Sequence, residues 1–121
     1  MNNNPIVSQS WHAVIMTLFP EIFPGPLGSS LSGRALENGI WKLNALNIRD
    51  FATDSRNTVD DEPFGGGAGM VIRADVIDSA LTSATNLVDD SPPIIYLSPR
   101  GRPLDQKRVK KLAGGPGVIL L

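Results

Sequence analysis

Cysteine is absent from the 121-residue sequence, which excludes disulfide bonds, thiolate metal ligands and thiol nucleophiles from the chain. Histidine is nearly absent. His12 is the single copy, and it begins an apolar stretch with no sequence neighbour that would orient its ring. These two shortages argue against the Ser-His and Cys-His nucleophile systems of many hydrolases. We therefore expect no catalytic role for His12.

Long hydrophobic runs are also missing, and none approaches the ~20 residues that a transmembrane helix needs. The first residues lack the basic and apolar regions of a secretory signal. We expect a cytoplasmic protein with no membrane association. Residues 1–10 are polar and uncharged, which predicts a disordered extension, and residues 11–121 are long enough for one domain.

The net charge is only −1, but the charges are sorted along the chain. Residues 50–62 hold five acidic side chains against one arginine, whereas residues 100–111 hold six basic side chains against one aspartate. The simpler interpretation is two solvated surfaces. A phosphate-facing role for the basic segment is the open alternative.

Hydrophobic periodicity predicts an α/β fold. Strand patterns cover residues 11–18, 40–48, 94–97 and 117–121, and helical spacing covers residues 28–38, 73–84 and 104–112. Residues 49–70 have no sustained period and predict a long loop. The order of strand, loop, helix and strand after residue 94 is a βαβ unit, which implies parallel pairing with a right-handed crossover.

The loop at residues 96–101 follows a predicted strand and precedes a predicted helix. Open α/β sheets bind ligands at this position, and a Pro-x-Gly turn exposes backbone N–H and C=O groups that can read an adenine edge or ribose hydroxyls. An ordinary βα turn is the competing interpretation, because proline and glycine are common in loops.

The glycine-rich segment at residues 65–70 is a second candidate ligand loop. No Lys-Ser or Lys-Thr pair follows it, so it is not a Walker A motif. Ligand or partner contact and a flexible connector both remain open. The acidic residues just before it, Asp60, Asp61 and Glu62, favour a solvated turn over an acid–base pair or a metal site, and we predict no metal.

Several short motifs occur in one order along residues 14–121, and together they resemble the bacterial tRNA guanine-N1 methyltransferases of the knotted SPOUT class. The matching pieces are Leu18-Phe19-Pro20-Glu21 with Phe23, Gly33-Arg34-Ala35 with Asn38-Gly39, Arg49-Asp50-Phe51, Thr58-Val59-Asp60-Asp61, Pro63-Phe64-Gly65-Gly66-Gly67, Gly69-Met70, and Tyr96-Leu97-Ser98-Pro99 with Gly101.

The resemblance implies a parallel-sheet SPOUT-type domain that transfers a methyl group from S-adenosylmethionine to N1 of the guanine 3′ of the anticodon in tRNA. It implies that the cofactor lies in a trefoil knot and that substrate-side contacts come from Asp60, Gly67 and Gly69. The implied cofactor-binding residues are Tyr96, Leu97, Ser98, Pro99, Arg100 and Gly101. Arg100 stands where the family more often has Gln, and the family pattern is broken at residues 53–57, so no role is assigned to Arg56 or Asn57.

The apolar residues 117–121 end without a turn or a polar tail, which suggests a strand cut inside a sheet. In the family, the remainder of the knot, the general base and a carboxyl-terminal domain follow this strand. We therefore expect the amino-terminal part of the methyltransferase domain, with an incomplete knot, no catalytic residue, no activity alone, and a homodimeric full-length enzyme. The alternative is a non-catalytic RNA-binding module, based on the basic helix at residues 104–112. A nucleotide-binding enzyme that uses the glycine-rich segment is a further alternative, but the segment lacks the lysine that usually contacts the phosphates.

Overall fold

The computed structural model describes residues 10–54, 56, 58–61 and 71–121. In chain order, its elements are β1 (Trp11–Thr17), α1 (Ser30–Glu37), β2 (Trp41–Asn47), β3 (Asp60–Asp61), β4 (Val71–Ile72), α2 (Ala74–Asn86), β5 (Ile94–Ile95), α3 (Gln106–Ala113) and β6 (Gly117–Leu120). Short 3₁₀ helices cover Pro20–Ile22, Gly25–Gly28 and Ile48–Phe51. No helix in these ranges is long and apolar enough to cross a bilayer.

The four main strands form one sheet in the order β2-β1-β6-β5, and every neighbouring pair is parallel. Helix α1 connects β1 to β2, and helix α3 connects β5 to β6, so the sheet consists of two βαβ units joined through β1 and β6. The predicted α/β fold with parallel pairing is confirmed. All carboxyl ends of the strands therefore lie at one edge, where open sheets bind ligands.

Helix α2 covers one face of the sheet and forms the core with it. Its buried residues are Val76, Ala80 and Ala84, and they belong to the same buried cluster as Val14, Met16 and Ile119 of the sheet. Side chains alternate between the two faces of a strand, so β1 presents Val14 and Met16 to α2 and its odd-numbered residues to the other face.

Two tryptophans hold the helices on the opposite face. The indole Nε1 of Trp11 donates to the carbonyl oxygen of Leu112 in α3 at 2.9 Å, and that of Trp41 donates to Ser32 in α1, also at 2.9 Å. Trp11 and Trp41 are register partners in neighbouring strands. One pair of side chains thus fixes both crossover helices to the same end of the sheet.

The contact between β1 and β6 depends on a glycine. Gly117 has φ of +145°, and a Cβ at this position would overlap the carbonyl oxygen of its register partner, His12. The missing side chain lets the two backbones approach closely. Gly33 has a similar role, because a Cβ there would overlap the carbonyl oxygen of Gly28 and separate α1 from the 3₁₀ helix before it.

Several predicted element boundaries differ from the structure by one or two residues. Strand β5 ends at Ile95 rather than residue 97, because Tyr96 and Leu97 leave the regular ladder, although Leu97 still donates to Leu121. Helix α3 begins at Gln106 rather than residue 104, since Asp105 caps it. Helix α2 continues to Asn86.

The predicted long loop contains local structure in its described parts. Within it, Thr58 N–H donates to Asp54 Oδ1 at 2.7 Å, and Arg73 N–H donates to the carbonyl oxygen of the buried Val59 at 2.6 Å. Hydrogen bonding by the Thr58 side chain, and then by its N–H, lowers the pKa of Asp54. The turn before β3 is therefore fixed by a carboxylate at one end and a buried valine at the other.

Replacing Gly117 with alanine should lower the free energy of unfolding by more than ~2 kcal/mol, because a side chain must enter a left-handed backbone region against the His12 carbonyl. Urea unfolding followed by circular dichroism measures this change. Gly114→Ala is the matched control, since Gly114 has φ of −81° and its Cβ would lie 3.6 Å from the Lys110 oxygen, an ordinary contact. Equal stability of the two variants would contradict the assignment.

An NMR titration of the side-chain carboxyl groups should give Asp54 a pKa below the ordinary value of an aspartate. Thr58→Val removes the hydroxyl but keeps the N–H donor, so the pKa should rise part of the way back. Because the folded-state pKa is depressed, the contact stabilises the fold above the unfolded-state pKa and is lost as the pH falls through the folded-state pKa. Thr85→Val, in α2, should leave the Asp54 titration unchanged; an equal effect of both substitutions would refute the local cause.

Candidate functional site

The loop between β5 and α3 closes on Ser98. The N–H of Gly101 donates to the carbonyl oxygen of Ser98 at 3.1 Å, and the N–H of Arg100 donates to the Ser98 hydroxyl at 3.2 Å. Before the turn, Leu97 N–H donates to the Leu121 oxygen at 2.9 Å, which attaches the loop to the end of β6. The loop therefore has a defined backbone shape at the carboxyl edge of the sheet.

This hydrogen bonding changes what the loop offers a ligand. The N–H groups of Leu97, Arg100 and Gly101 all bond within the protein, and Pro99 has none. The sequence predicted a turn exposing both donors and acceptors, but most of its donors are already used. The loop therefore has fewer free N–H donors than its sequence suggests, and its carbonyl oxygens suit ligand donors such as an exocyclic amino group or ribose hydroxyls.

Helix α3 fixes the other side of the loop. Its N-cap is Asp105, whose Oδ1 accepts the N–H of Arg108 at 2.8 Å. Its last turn is attached to β1 by the indole hydrogen bond of Trp11. A capped first turn and an anchored last turn hold this eight-residue helix against the sheet, although none of its residues is fully buried.

An apolar cleft of about 830 Å³ lies between the loop, α3 and the sheet face that carries the two tryptophans. Its apolar mouth includes Tyr96 and Leu97, which are 71% and 65% exposed. Its charged lining residues, Arg102 and Arg108, are both cationic. The remaining lining residues are Trp11, Ile40, Trp41, Ile94, Ile95, Ser98, Gly101, Leu104, Val109, Leu112, Ala113, Val118 and Leu120.

The residues present fit S-adenosylmethionine in chemical terms. Exposed apolar side chains at the mouth suit the flat adenine ring, and free carbonyl oxygens suit its amino group and the ribose hydroxyls. The two guanidinium groups suit a carboxylate, which the methionine part of the molecule carries. The cleft thus has groups that suit the adenine, the ribose and the carboxylate of this molecule.

The predicted cofactor residues divide into two groups. Tyr96, Leu97, Ser98 and Gly101 line the cleft. Pro99 and Arg100 are exposed and do not line it within the described part of the chain. Their assignment to the cofactor stays a prediction, and the position of Arg100 outside the cleft argues for a different role.

The predicted substrate residues are only partly described. Asp60 is exposed in β3, where it pairs with Ile72 of β4, and it does not line the cleft. Gly67 and Gly69 lie outside the described residues. A role for all three in substrate binding stays a prediction.

The surroundings of Asp60 carry mixed charge. Arg73, just before α2, forms an ion pair with Asp75 at 3.2 Å. Hydrogen bonding to Asp75 raises the pKa of Arg73, and the charges of Asp61 and Asp54 add to the effect. The acidic segment is thus partly neutralised by one arginine. Across residues 10–54, 56, 58–61 and 71–121, no group of three or more histidine, cysteine or carboxylate side chains has the arrangement of a metal site.

Sequence reasoning missed the walls of the cleft that come from the sheet. Trp11 and Trp41 lie in strands that were recognised, but nothing local joins them to the loop after β5. Their shared position at the start of two strands in one βαβ unit is the sequence signal that could have placed them side by side on one face of the sheet. Arg102 and Arg108 were noted only as part of a basic segment, because their side of the helix depends on packing.

Comparison with known proteins gives the same family along almost the whole chain. The family model described as tRNA (Guanine-1)-methyltransferase TrmD matches residues 12–121. A tRNA (guanine-N(1)-)-methyltransferase of Rhodospirillum rubrum is 57% identical over 112 residues, covering 93% of this chain and 46% of the relative. The corresponding protein of Mesorhizobium japonicum is 56% identical over 112 residues, covering 93% of this chain and 48% of the relative.

A solved structure agrees at the level of the fold. The tRNA (m1G37) methyltransferase of Aquifex aeolicus superimposes with a TM-score of 0.78 at 24% identity, covering 92% of this chain and 50% of that one. The chain thus spans about half the length of the proteins that it matches. On the extent of the family match and the identity to these relatives, the chain belongs to the tRNA (guanine-1)-methyltransferase family.

Proposed function

We propose that residues 11–121 form the amino-terminal part of a methyltransferase domain that binds S-adenosylmethionine and methylates N1 of the guanine 3′ of the anticodon in tRNA. The observation that carries the proposal is the closed loop from Tyr96 to Gly101 beside an apolar cleft at the carboxyl edge of a parallel sheet. The family match supports the same reaction. In this proposal the enzyme acts in the cytoplasm, and as a homodimer.

The reaction transfers a methyl group from the sulfonium sulfur of S-adenosylmethionine to N1 of guanine. A carbon–nitrogen bond forms as the carbon–sulfur bond breaks, S-adenosylhomocysteine leaves, and the N1 proton passes to a base. Rate depends on holding the methyl carbon in line between sulfur and nitrogen. We assign to the described residues of this chain the role of positioning the methyl donor, and we assign to none of them the role of the base that accepts the N1 proton.

Leu97 and Tyr96 are the side chains that the proposal places against the adenosine part of the ligand. Both are exposed at the mouth of the cleft, so ligand binding would remove their apolar surface from water. Ser98 shapes the turn by accepting two backbone hydrogen bonds, which sets the direction of the carbonyl groups around it. On the tRNA side, the proposal assigns Asp60, Gly67 and Gly69.

Titration of the chain with S-adenosylmethionine, followed by ¹⁵N NMR, should shift the amide signals of residues 96–101 most strongly. Leu97→Ala should weaken binding by about 5- to 30-fold, because ~1–2 kcal/mol of apolar burial is lost. Leu31→Ala is the matched control, since Leu31 is 78% exposed on α1 and does not line the cleft. Its affinity should stay within about twofold of the unaltered chain, because Leu31 does not contact the cleft. Neither leucine belongs to the buried core, so both variants should remain folded.

Two results would count against this assignment. Equal affinities for the two leucine variants would mean that the ligand does not contact the loop. Binding of tRNA with indifference to S-adenosylmethionine would instead favour the non-catalytic RNA-binding module, whose affinity falls with salt.

Methyl transfer needs groups that we do not assign to these residues, so the 121-residue polypeptide alone should show no turnover with radiolabelled S-adenosylmethionine and tRNA. A chimera, in which residues 12–121 replace the matched segment of the Rhodospirillum rubrum relative, should form 1-methylguanosine, detected by nucleoside mass spectrometry. A tRNA with adenine in place of the target guanine is the negative control. Turnover by the polypeptide alone would contradict the absence of an assigned base among these residues. A folded but inactive chimera would contradict their assignment to this reaction.

A further inference from the structure

Helix α3 has two faces of different character. Arg108, Val109, Leu112 and Ala113 line the cleft. Lys107, Lys110 and Lys111 follow the i, i+3, i+4 spacing of a single helical face, which lies opposite, and all three are exposed. We call these three side chains the lysine face.

The lysine face concentrates a large share of the positive charge of the chain. Residues 100–111 carry six of its 11 lysines and arginines, although the chain as a whole has a net charge of −1. Asp105 is the one acidic residue in this segment, and its carboxylate already caps the helix. Within the described residues, none of the three lysines forms an ion pair.

Helix stability does not explain this arrangement. Lys110 and Lys111 lie in the last turn, where cations interact favourably with the helix dipole, but Lys107 lies in the first turn, where they do not. Like charges at i, i+3 and i+4 also repel one another. Because Lys107 and the repulsion among the three lysines do not stabilise the helix, the arrangement is better explained by an external anionic partner.

The position of α3 identifies the kind of partner. Helix α3 begins five residues after Gly101, and the exposed Arg100 and Arg102 add positive charge in the segment that leads into it. The helix is ~12 Å long, so its lysines can contact more than one phosphate of a polynucleotide. The lysine ammonium attracts phosphate as a point charge, so it contributes affinity without specificity for a base.

We propose that the lysine face binds the phosphate backbone of tRNA and orients it relative to the cofactor loop. The inference rests on the proposed function for the identity of the RNA. It assigns the affinity for tRNA and the orientation of the tRNA to α3, whereas residues outside α3 select the target base.

The test is tRNA binding by the chain over a range of salt concentrations, measured by fluorescence anisotropy with an unmodified transcript that has guanine 3′ of the anticodon. Replacing Lys107, Lys110 and Lys111 together with glutamine should weaken binding at least ~10-fold at low salt and reduce the slope of log K against log salt by about 2. Replacing all three with arginine keeps the charge and should keep the affinity within about threefold.

Single variants locate the effect. Lys110→Gln should lower the salt slope by about 0.7–0.9, whereas Lys42→Gln, at an exposed position of β2, should leave it unchanged. Circular dichroism checks that α3 remains folded. Anionic vesicles of phosphatidylcholine and phosphatidylserine test the other polyanion that a basic helix can bind.

The outcomes separate the inference from the proposed function. If the triple glutamine variant keeps its tRNA affinity, or if the unaltered chain binds the vesicles and not the tRNA, the inference is overturned. If tRNA binding depends on the lysines but S-adenosylmethionine shifts no amide of residues 96–101, the inference stands and the proposed function fails. Loss of tRNA affinity with an unchanged response to S-adenosylmethionine supports both.

Discussion

Strand β1 bonds to a neighbour on each side, and its pairing with β6 connects the two halves of the sheet. His12 donates to Pro116 at 3.0 Å, and the strands continue in parallel from the register pair of His12 and Gly117. Because β5 bonds only to β6 in this sheet, the strand that leads into the candidate loop joins the sheet through β6. The close backbone approach at Gly117 thus positions a site at the far edge of the sheet.

The cleft results from the way α3 is attached. The helix is anchored to Trp11 near its carboxyl end and capped by Asp105 at its start, but it has no fully buried residue. Apolar side chains beneath it and at the mouth therefore remain accessible, in contrast to the opposite face, where α2 buries Val14 and Ile119. One face of the sheet carries the buried core, and the other carries the open cleft.

Much of the fold follows from local patterns. Apolar runs located all four strands of the main sheet, and helical spacing located all three helices, because burial on the two sides of a parallel sheet leaves a clear sequence signal. The boundaries depended on particular side chains: Asp105 moves the start of α3, and Tyr96 leaves the ladder early. The order of the strands was not predicted, since it depends on contacts between distant segments.

The candidate site was less predictable than the fold. The position of the loop after β5 pointed to a ligand, and the family resemblance named its residues. The hydrogen bond from Leu97 to Leu121, and the contribution of Trp11 and Trp41 to the cleft, follow from long-range geometry. No local pattern encodes them.

The sheet order also has a consequence for how the chain folds. Trp11 and its partner Leu112 are 101 positions apart in the sequence, and β6 follows Leu112, so the second side of β1 stays unpaired until β6 has been made. Non-local strand pairing of this kind slows folding and leaves an apolar strand edge open to other chains in the meantime. During synthesis, β1 and β2 can pair early, but β1 must wait for β6. Among the four strands of this sheet, β1 is made before the others, but both of its edges are paired only once β6 has joined it.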